Sequence, residues 1–499
     1  MMNRKEFLQS VMIPGLSFCI APSTILGKTF GYVPPSDRLN IAGVGVGGVG
    51  RRNLANMKTE NIVALCDVDW KYASKTFNDY PKAKRYKDWR VMFDEMGDSI
   101  DAIMVATPDH THAGVTAHGI TLGKHCYTQK PLTHSVYESR LLTKLAEKYK
   151  VATQMGNQGN SFYWCREIAE WIQSGAIGEV YEVHCWTDRP IWQQGLMKPK
   201  SPMEAPKDLD WELFIGPAEM RPYHKSYTPW NWRGWWDFGT GALGDMACHI
   251  MDPVYWALDL KYPISVSGSS TLSNLYSPPH AQVVEYVFPE RPKKRAVNMP
   301  EVKVIWYDGG LLPPRPEELE DGDMMGDKDG GIIFVGTEGK LMTGTYGMNP
   351  TLLPKHKMDD FVKPAPWIPR IPGGDGDIWN TNAHEQDWIR ACKEDPGNRV
   401  ESSSHFGFSG PFNEMVVMGV LAVRLQDLHR TLKWDGGNME FTNISPNDKI
   451  NVVSVDEFKV IDGDPRFNRK HVEMNALDVS REWIKHTYHN GFELPEMPV

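Results

Sequence analysis

Asp245 and His249, four residues apart in Gly244-Asp245-Met246-Ala247-Cys248-His249, would share one face of a helix. A histidine beside a carboxylate titrates near neutrality and can accept the proton that an alcohol sheds as hydride leaves its carbon. The same spacing also suits an aspartate near a helix start and a histidine in a core. Lys130, in Gln129-Lys130-Pro131, precedes a proline and is therefore biased towards extended backbone. Aimed into a crevice, its ammonium could stabilise charge growing on a substrate oxygen. On a surface it would be an ordinary solvated lysine.

The strongest local pattern is Gly45-Val46-Gly47-Gly48-Val49-Gly50, which leaves an apolar run and opens a helical one. In that setting the first glycine makes a tight turn, the second admits a pyrophosphate, and the third lets helix and strand approach closely. Free N–H groups at the helix start then favour phosphate. Asp67 closes the next apolar run about 20 residues on, where a carboxylate takes ribose hydroxyls and favours NAD over NADP. Arg51 and Arg52 pull the other way. Thr107-Pro108-Asp109-His110-Thr111-His112 follows a third apolar run, so Thr107, Pro108, His110 and His112 join Gln129 and Lys130 as expected cofactor contacts. Loop capping is the other reading of the two histidines. With no third ligand near them, no metal is expected.

Strands alternating with helices from residue 36 to 157 predict parallel βαβ units and a doubly wound sheet of Rossmann type. From about Gly178 the pattern changes. Val180 to Trp186 alternates with period two, and further strands are expected at Ile264 to Thr271, Gln282 to Phe288, Val302 to Tyr307, Ile332 to Val335 and Lys340 to Thr343. One long helix should follow Gly241. Residues 158–435 therefore read as an α+β domain with a large, open, mostly antiparallel sheet, for substrate binding and oligomerisation. Residues 436–499 form an extension without periodicity.

Hydrophobic residues at 41% and charged residues at 23% match an ordinary globular chain of 499 residues. The net charge of −9 gives no electrostatic footprint for nucleic acid. Seven cysteines without paired spacing exclude a disulfide scaffold. Arg4, Lys5 and the broken apolar run from Val11 to Ile20 read as an export signal within residues 1–30, and no stretch is expected to span a membrane. Asn3-Arg4-Lys5-Glu6-Phe7-Leu8 looks like a twin-arginine signal with lysine as its second basic residue, which leaves the ordinary secretory route as the other reading; the expected location is exported and periplasmic.

Arg38-Leu39-Asn40-Ile41-Ala42 into the glycine loop, Asp67-Val68-Asp69, Thr107 to His112, Gln129-Lys130-Pro131-Leu132 and Gly244-Asp245 through His249 stand in one order. Together they resemble the glucose–fructose oxidoreductase/inositol dehydrogenase (Gfo/Idh/MocA) family, most of all its exported, Bacteroidetes-type, sugar-processing members. The resemblance covers about residues 36 to 435. It implies His249 as acid/base, Lys130 as the group that polarises the reacting hydroxyl, and Asp245 as their orienting carboxylate. Gln129 stands where the family pattern has glutamate. Asn157 and Gln158 follow as pocket lining. The cluster Trp230-Asn231-Trp232-Arg233-Gly234-Trp235-Trp236 offers aromatic faces for a pyranose, with Trp232, Arg233 and Trp235 as expected contacts and Trp164 and Arg166 as further ones.

The implied activity is an NAD-dependent dehydrogenase acting on a secondary hydroxyl of a sugar, glycoside or cyclitol, in a homo-oligomer. The same residues would serve a redox-assisted glycoside hydrolase or lyase, in which hydride returns after elimination. A cofactor-bound, non-catalytic sugar-binding protein is the third reading.

Overall fold

The structure, a computed structural model, describes residues 37–498, so the export signal expected at 1–30 lies outside the described residues. The first domain alternates β1 (Asn40–Val44), α1 (Gly48–Asn56), β2 (Asn61–Cys66), α2 (Ser74–Asp79), β3 (Lys84–Tyr86), α3 (Trp89–Met96), β4 (Ala102–Val105), α4 (Asp109–Thr121), β5 (His125–Thr128), α5 (Val136–Tyr149) and β6 (Thr153–Met155). The six strands are parallel in the order β3-β2-β1-β4-β5-β6. Both faces are covered, which is why the strands read as unbroken apolar runs. Ile41, Leu65 and Met104 pack in one layer, and Ala42, Ala64 and Ile103 in the other. Strand order reverses between β1 and β4, and the crevice above their carboxyl ends is the ligand position of such sheets.

The second domain begins with α6 (Tyr163–Ser174), β7 (Val180–Thr187) and α7 (Trp211–Ile215). It continues through α8 (Gly241–Ile250), α9 (Asp252–Ala257), β8 (Ser265–Ser270), β9 (Gln282–Phe288), β10 (Arg291–Lys294), β11 (Val297–Met299) and β12 (Val302–Tyr307). Then come β13 (Gly330–Gly336), β14 (Gly339–Gly344), β15 (Thr351–Leu353) and α10 (Lys357–Asp360). Nine strands form a sheet in the order β15-β14-β13-β7-β12-β9-β8-β16-β17, where β16 is Leu432–Asp435 and β17 is Glu440–Phe441. It is antiparallel except where β7 meets β12. The expected single helix after Gly241 is two, α8 and α9, because Pro253 opens the second and has no N–H to continue the first.

Before β16 the chain returns to the first domain through α11 (Ala383–Cys392), whose Trp388, Ile389 and Ala391 pack on the Ile41 and Met104 layer. It then forms α12 (Phe406–Arg424). That helix is long and apolar enough to cross a membrane, but 83% of its apolar window is buried in the protein, as a core helix requires. The extension, expected to lack periodicity, contains β18 (Lys449–Ile461), β19 (Asp464–Asn475) and α13 (Ala476–Ile484). The two strands pair through a tight turn at Asp462-Gly463, both at positive φ. An Asp-Gly pair is a known hairpin mark, but β19 and the far half of β18 have no buried face, so no alternation runs through the pair. The six cysteines of the described residues are free and buried.

Candidate active site

The loops after β1, β4 and β5 and the face of α8 wall one cleft of about 420 Å³. Such a volume suits a small ligand buried on most of its surface. At its centre Lys130 Nζ donates to Asp245 Oδ1 at 2.9 Å and to the Asp245 carbonyl oxygen at 2.8 Å. Arg233 Nε donates to the same Oδ1, also at 2.9 Å. The Arg233 guanidinium lies 4.2 Å from the ring centres of both Trp230 and Trp232, a geometry that fixes a cation firmly. Burial opposes charge on Asp245, but Lys130 and Arg233 outweigh it and hold the carboxyl well below the usual carboxylate range. Two cations thus share one carboxylate, and Lys130 Nζ keeps a donor free for a ligand oxygen.

His249 lines the cleft one turn beyond Asp245 but is not bonded to it; the expected Asp–His pair is replaced by the Lys130–Asp245–Arg233 cluster. Two nearby cations claim the carboxylate, whereas the imidazole packs on Tyr346 at 4.9 Å between ring centres. Burial pushes the His249 pKa well below its ordinary value, and Lys130 lowers it further against the opposing pull of Asp245. The ring is therefore neutral at neutral pH and able to accept a proton. An NMR titration of His249, assigned through its loss in His249→Gln, should show no protonation between about pH 6 and pH 8. A midpoint near 6.5 would contradict this account.

At the other end of the cleft lies the glycine loop. Gly45 turns at φ +75°, and a Cβ there would sit 2.6 Å from the backbone of Ala106. The start of α1 carries no side-chain cap; Gly50 N–H donates to the Gly47 carbonyl oxygen at 3.0 Å, which leaves the Gly48 and Val49 N–H groups for phosphate. Asp67 Oδ2 accepts from the Val46 and Gly47 N–H groups at 2.8 and 3.1 Å, bracing the loop. Burial raises the Asp67 pKa to about 6 against those amides. Arg51 is turned away onto Asp79, and Arg52 faces Trp379. No cation is bonded to Asp67 among the described residues, although Lys87 and Arg52 line the same cleft, and an acid in this place suits NAD.

Residues 39–157 match the model of the NAD-binding Rossmann fold of the Gfo/Idh/MocA oxidoreductase family, and residues 167–273 match its C-terminal alpha/beta domain. Two stretches of the chain, together just under half of it, are thus similar to that family. The rhizopine catabolism protein MocA of Rhizobium meliloti is 28% identical over 162 residues, 31% of this chain and 49% of the relative. Levoglucosan dehydrogenase of Pseudarthrobacter phenanthrenivorans is 25% identical over 165 residues, 33% of this chain and 34% of the relative. The chain therefore spans half or less of these curated relatives. The WlbA dehydrogenase of Bordetella pertussis, solved with NADH and UDP-GlcNAcA, shares the fold at a TM-score of 0.53 and 15% identity, over 80% of this chain and 99% of that one.

Within the cleft lie Gly45, Gly47, Val49, Asp67, Thr107, Pro108, Gln129, Lys130, Gln158, Trp232, Arg233, Asp245 and His249. Gly48 and Gly50 shape the loop behind it. Other expected contacts stand elsewhere. The His112 ring nitrogens lie 2.8 Å from the carbonyl oxygens of Thr107 and Pro131, one of which the single N–H of a neutral ring serves, and His110 contacts those of Phe214 and Ile215. Both rings are buried, which lowers their pKa to about 4, and they tie loops together instead of touching the cleft. Asn157 is fully buried and donates to Asp252. Arg166 is spent on the carbonyl oxygens of Asn160, Phe162 and Pro369. Trp164 stacks on Phe162, and Trp235 is core, donating to the Ser226 carbonyl. These four are corrected from substrate contacts to scaffold.

Sequence reasoning missed Tyr346 and Trp379. Tyr346 has φ +64°, a left-handed backbone that a bulky residue rarely adopts, and its ring meets Trp379 edge-on at 5.6 Å. Both rings stand in the cleft wall. Only the fold brings the turn after β14 to α8.

Proposed function

We propose that the protein oxidises a secondary hydroxyl of a sugar, glycoside or cyclitol with NAD. The observation that carries the reading is one cleft holding both the glycine loop and a Lys130–Asp245–Arg233 cluster beside an unpaired, neutral His249. NAD, when bound, supplies the hydride acceptor. Lys130 donates a hydrogen bond to the reacting oxygen and stabilises charge as the O–H bond weakens. His249 takes the hydroxyl proton. Asp245, kept ionised, fixes the Lys130 ammonium. The Trp192, Trp230 and Trp232 rings give the apolar face of a pyranose a place to stack. The twin-arginine-like start suits export to the periplasm of a Bacteroidetes-type cell with the cofactor already bound, and the open nine-stranded sheet suits a homo-oligomer.

Denaturing the purified protein and weighing the released nucleotide tests the cofactor. A panel of sugars and glycosides, followed at the reduced-nicotinamide absorbance, tests the reaction. Lasting reduction on one sugar supports the dehydrogenase. Aglycone release with the absorbance returning to its start makes the enzyme a redox-assisted glycosidase instead. Failure to bind NAD at all overturns both.

A further inference from the structure

Gln129 is where this chain departs from the family pattern it resembles, and a hydrogen-bonded chain leads from it to a distant carboxylate. Gln129 is 7% exposed and precedes Lys130, whose N–H its Oε1 accepts at 3.3 Å. Its Nε2 donates to Asn53 Oδ1 at 2.9 Å, and Asn53, 2% exposed on α1, donates through Nδ2 to Glu385 Oε1 at 2.8 Å. Asn56 Nδ2 adds a second donor to that oxygen at 3.1 Å. Glu385 is 4% exposed and lies in the first turn of α11, where the helix start favours negative charge.

An amide has one donating end and one accepting end, whereas a carboxylate only accepts. Glu385 therefore commands the NH2 of Asn53, and the Asn53 carbonyl is left pointing at residue 129. Only a donor can answer it. Glutamine can, and an ionised glutamate would set oxygen against oxygen in a buried site, where an unmet polar contact is costly.

We infer that Glu385 is a positioning residue that dictates the amide at position 129, so that a carboxylate sits behind Asn53 instead of beside Lys130 in the cleft. On the proposed reading, Lys130 then answers to Asp245 alone, and the cationic ring of oxidised NAD meets no carboxylate at position 129.

A double-mutant cycle on the full chain tests this. In the wild-type background Gln129→Glu should lower Tm by about 2 °C or more. In the Glu385→Gln background the same change should be tolerated within about 1 °C, because Asn53 can flip, donating to the new carboxylate and accepting from the new amide. If Gln129→Glu alone does not fold, folded protein from the double variant is the same result. Equal losses in the two backgrounds, or no loss in either, overturn the coupling. The second readout is the ratio of NAD+ to NADH dissociation constants, titrated without substrate. The double variant should favour NAD+ by about tenfold more than wild type. An unchanged ratio overturns the placement of residue 129 beside the reacting ring. The melting cycle needs neither cofactor nor substrate, so it stands apart from the proposed function.

Discussion

Lys130→Met is expected to lower kcat by about 10³-fold while changing the NAD dissociation constant by less than about threefold. The ammonium is held by two contacts to one residue, the Asp245 carboxylate at 2.9 Å and its carbonyl oxygen at 2.8 Å. Removing it takes away the donor to the reacting oxygen but leaves the glycine loop untouched. Asp245 keeps Arg233 at 2.9 Å and so stays ionised, which holds the rest of the site in place. Because Lys130 would act most strongly as charge grows on oxygen, the loss should fall on kcat and kcat/KM together and spare ground-state binding. Turnover of the sugar identified by the absorbance panel, set against a fluorescence titration of NAD, separates the two. A loss below about tenfold would remove Lys130 from the chemistry and leave it as a structural partner of Asp245.

What could be read from the sequence divides by the distance over which each residue acts. The glycine loop, Asp67 and Lys130 are strand-end features whose meaning is set within a few residues, and the parallel sheet places all of them on the cleft. The α+β half was legible because β9 and β12 alternate with one face buried. Asp245 and His249 were legible as a helical pair but not as partners, since the outcome depends on Arg233, whose position comes from a stacked loop and not from helical spacing. His110 and His112 illustrate the converse error. A histidine at a strand end looks chemical in one dimension, but burial lowers its pKa and its ring is packed against backbone carbonyls. Tyr346 and Trp379, which reach the cleft wall, and Glu385, which stands behind Asn53, have no local mark because each comes from beyond the second domain's first strands.

Gly50→Ala should raise the NAD dissociation constant by about 100-fold or more, close to 3 kcal/mol of binding free energy, and lower Tm as well. A Cβ at Gly50 would lie 2.0 Å from the Gly45 carbonyl oxygen and 3.1 Å from its carbon. Those are backbone atoms of the turn itself, and Gly45 in turn abuts the Ala106 backbone, so α1 must move off the sheet and carry its free N–H groups with it. At Gly47 the same substitution meets mainly the ring of Tyr72, which is 46% exposed and can swing away, so Gly47→Ala should fold normally. Gly97→Ala meets nothing within 4 Å and serves as the silent control. The ordering is the discriminating result, because general sensitivity to added methyl groups would strike Gly47 and Gly50 alike. If Gly50→Ala binds NAD as wild type does, the loop is not the phosphate cradle, and the assignment of the whole cleft to a dinucleotide falls with it.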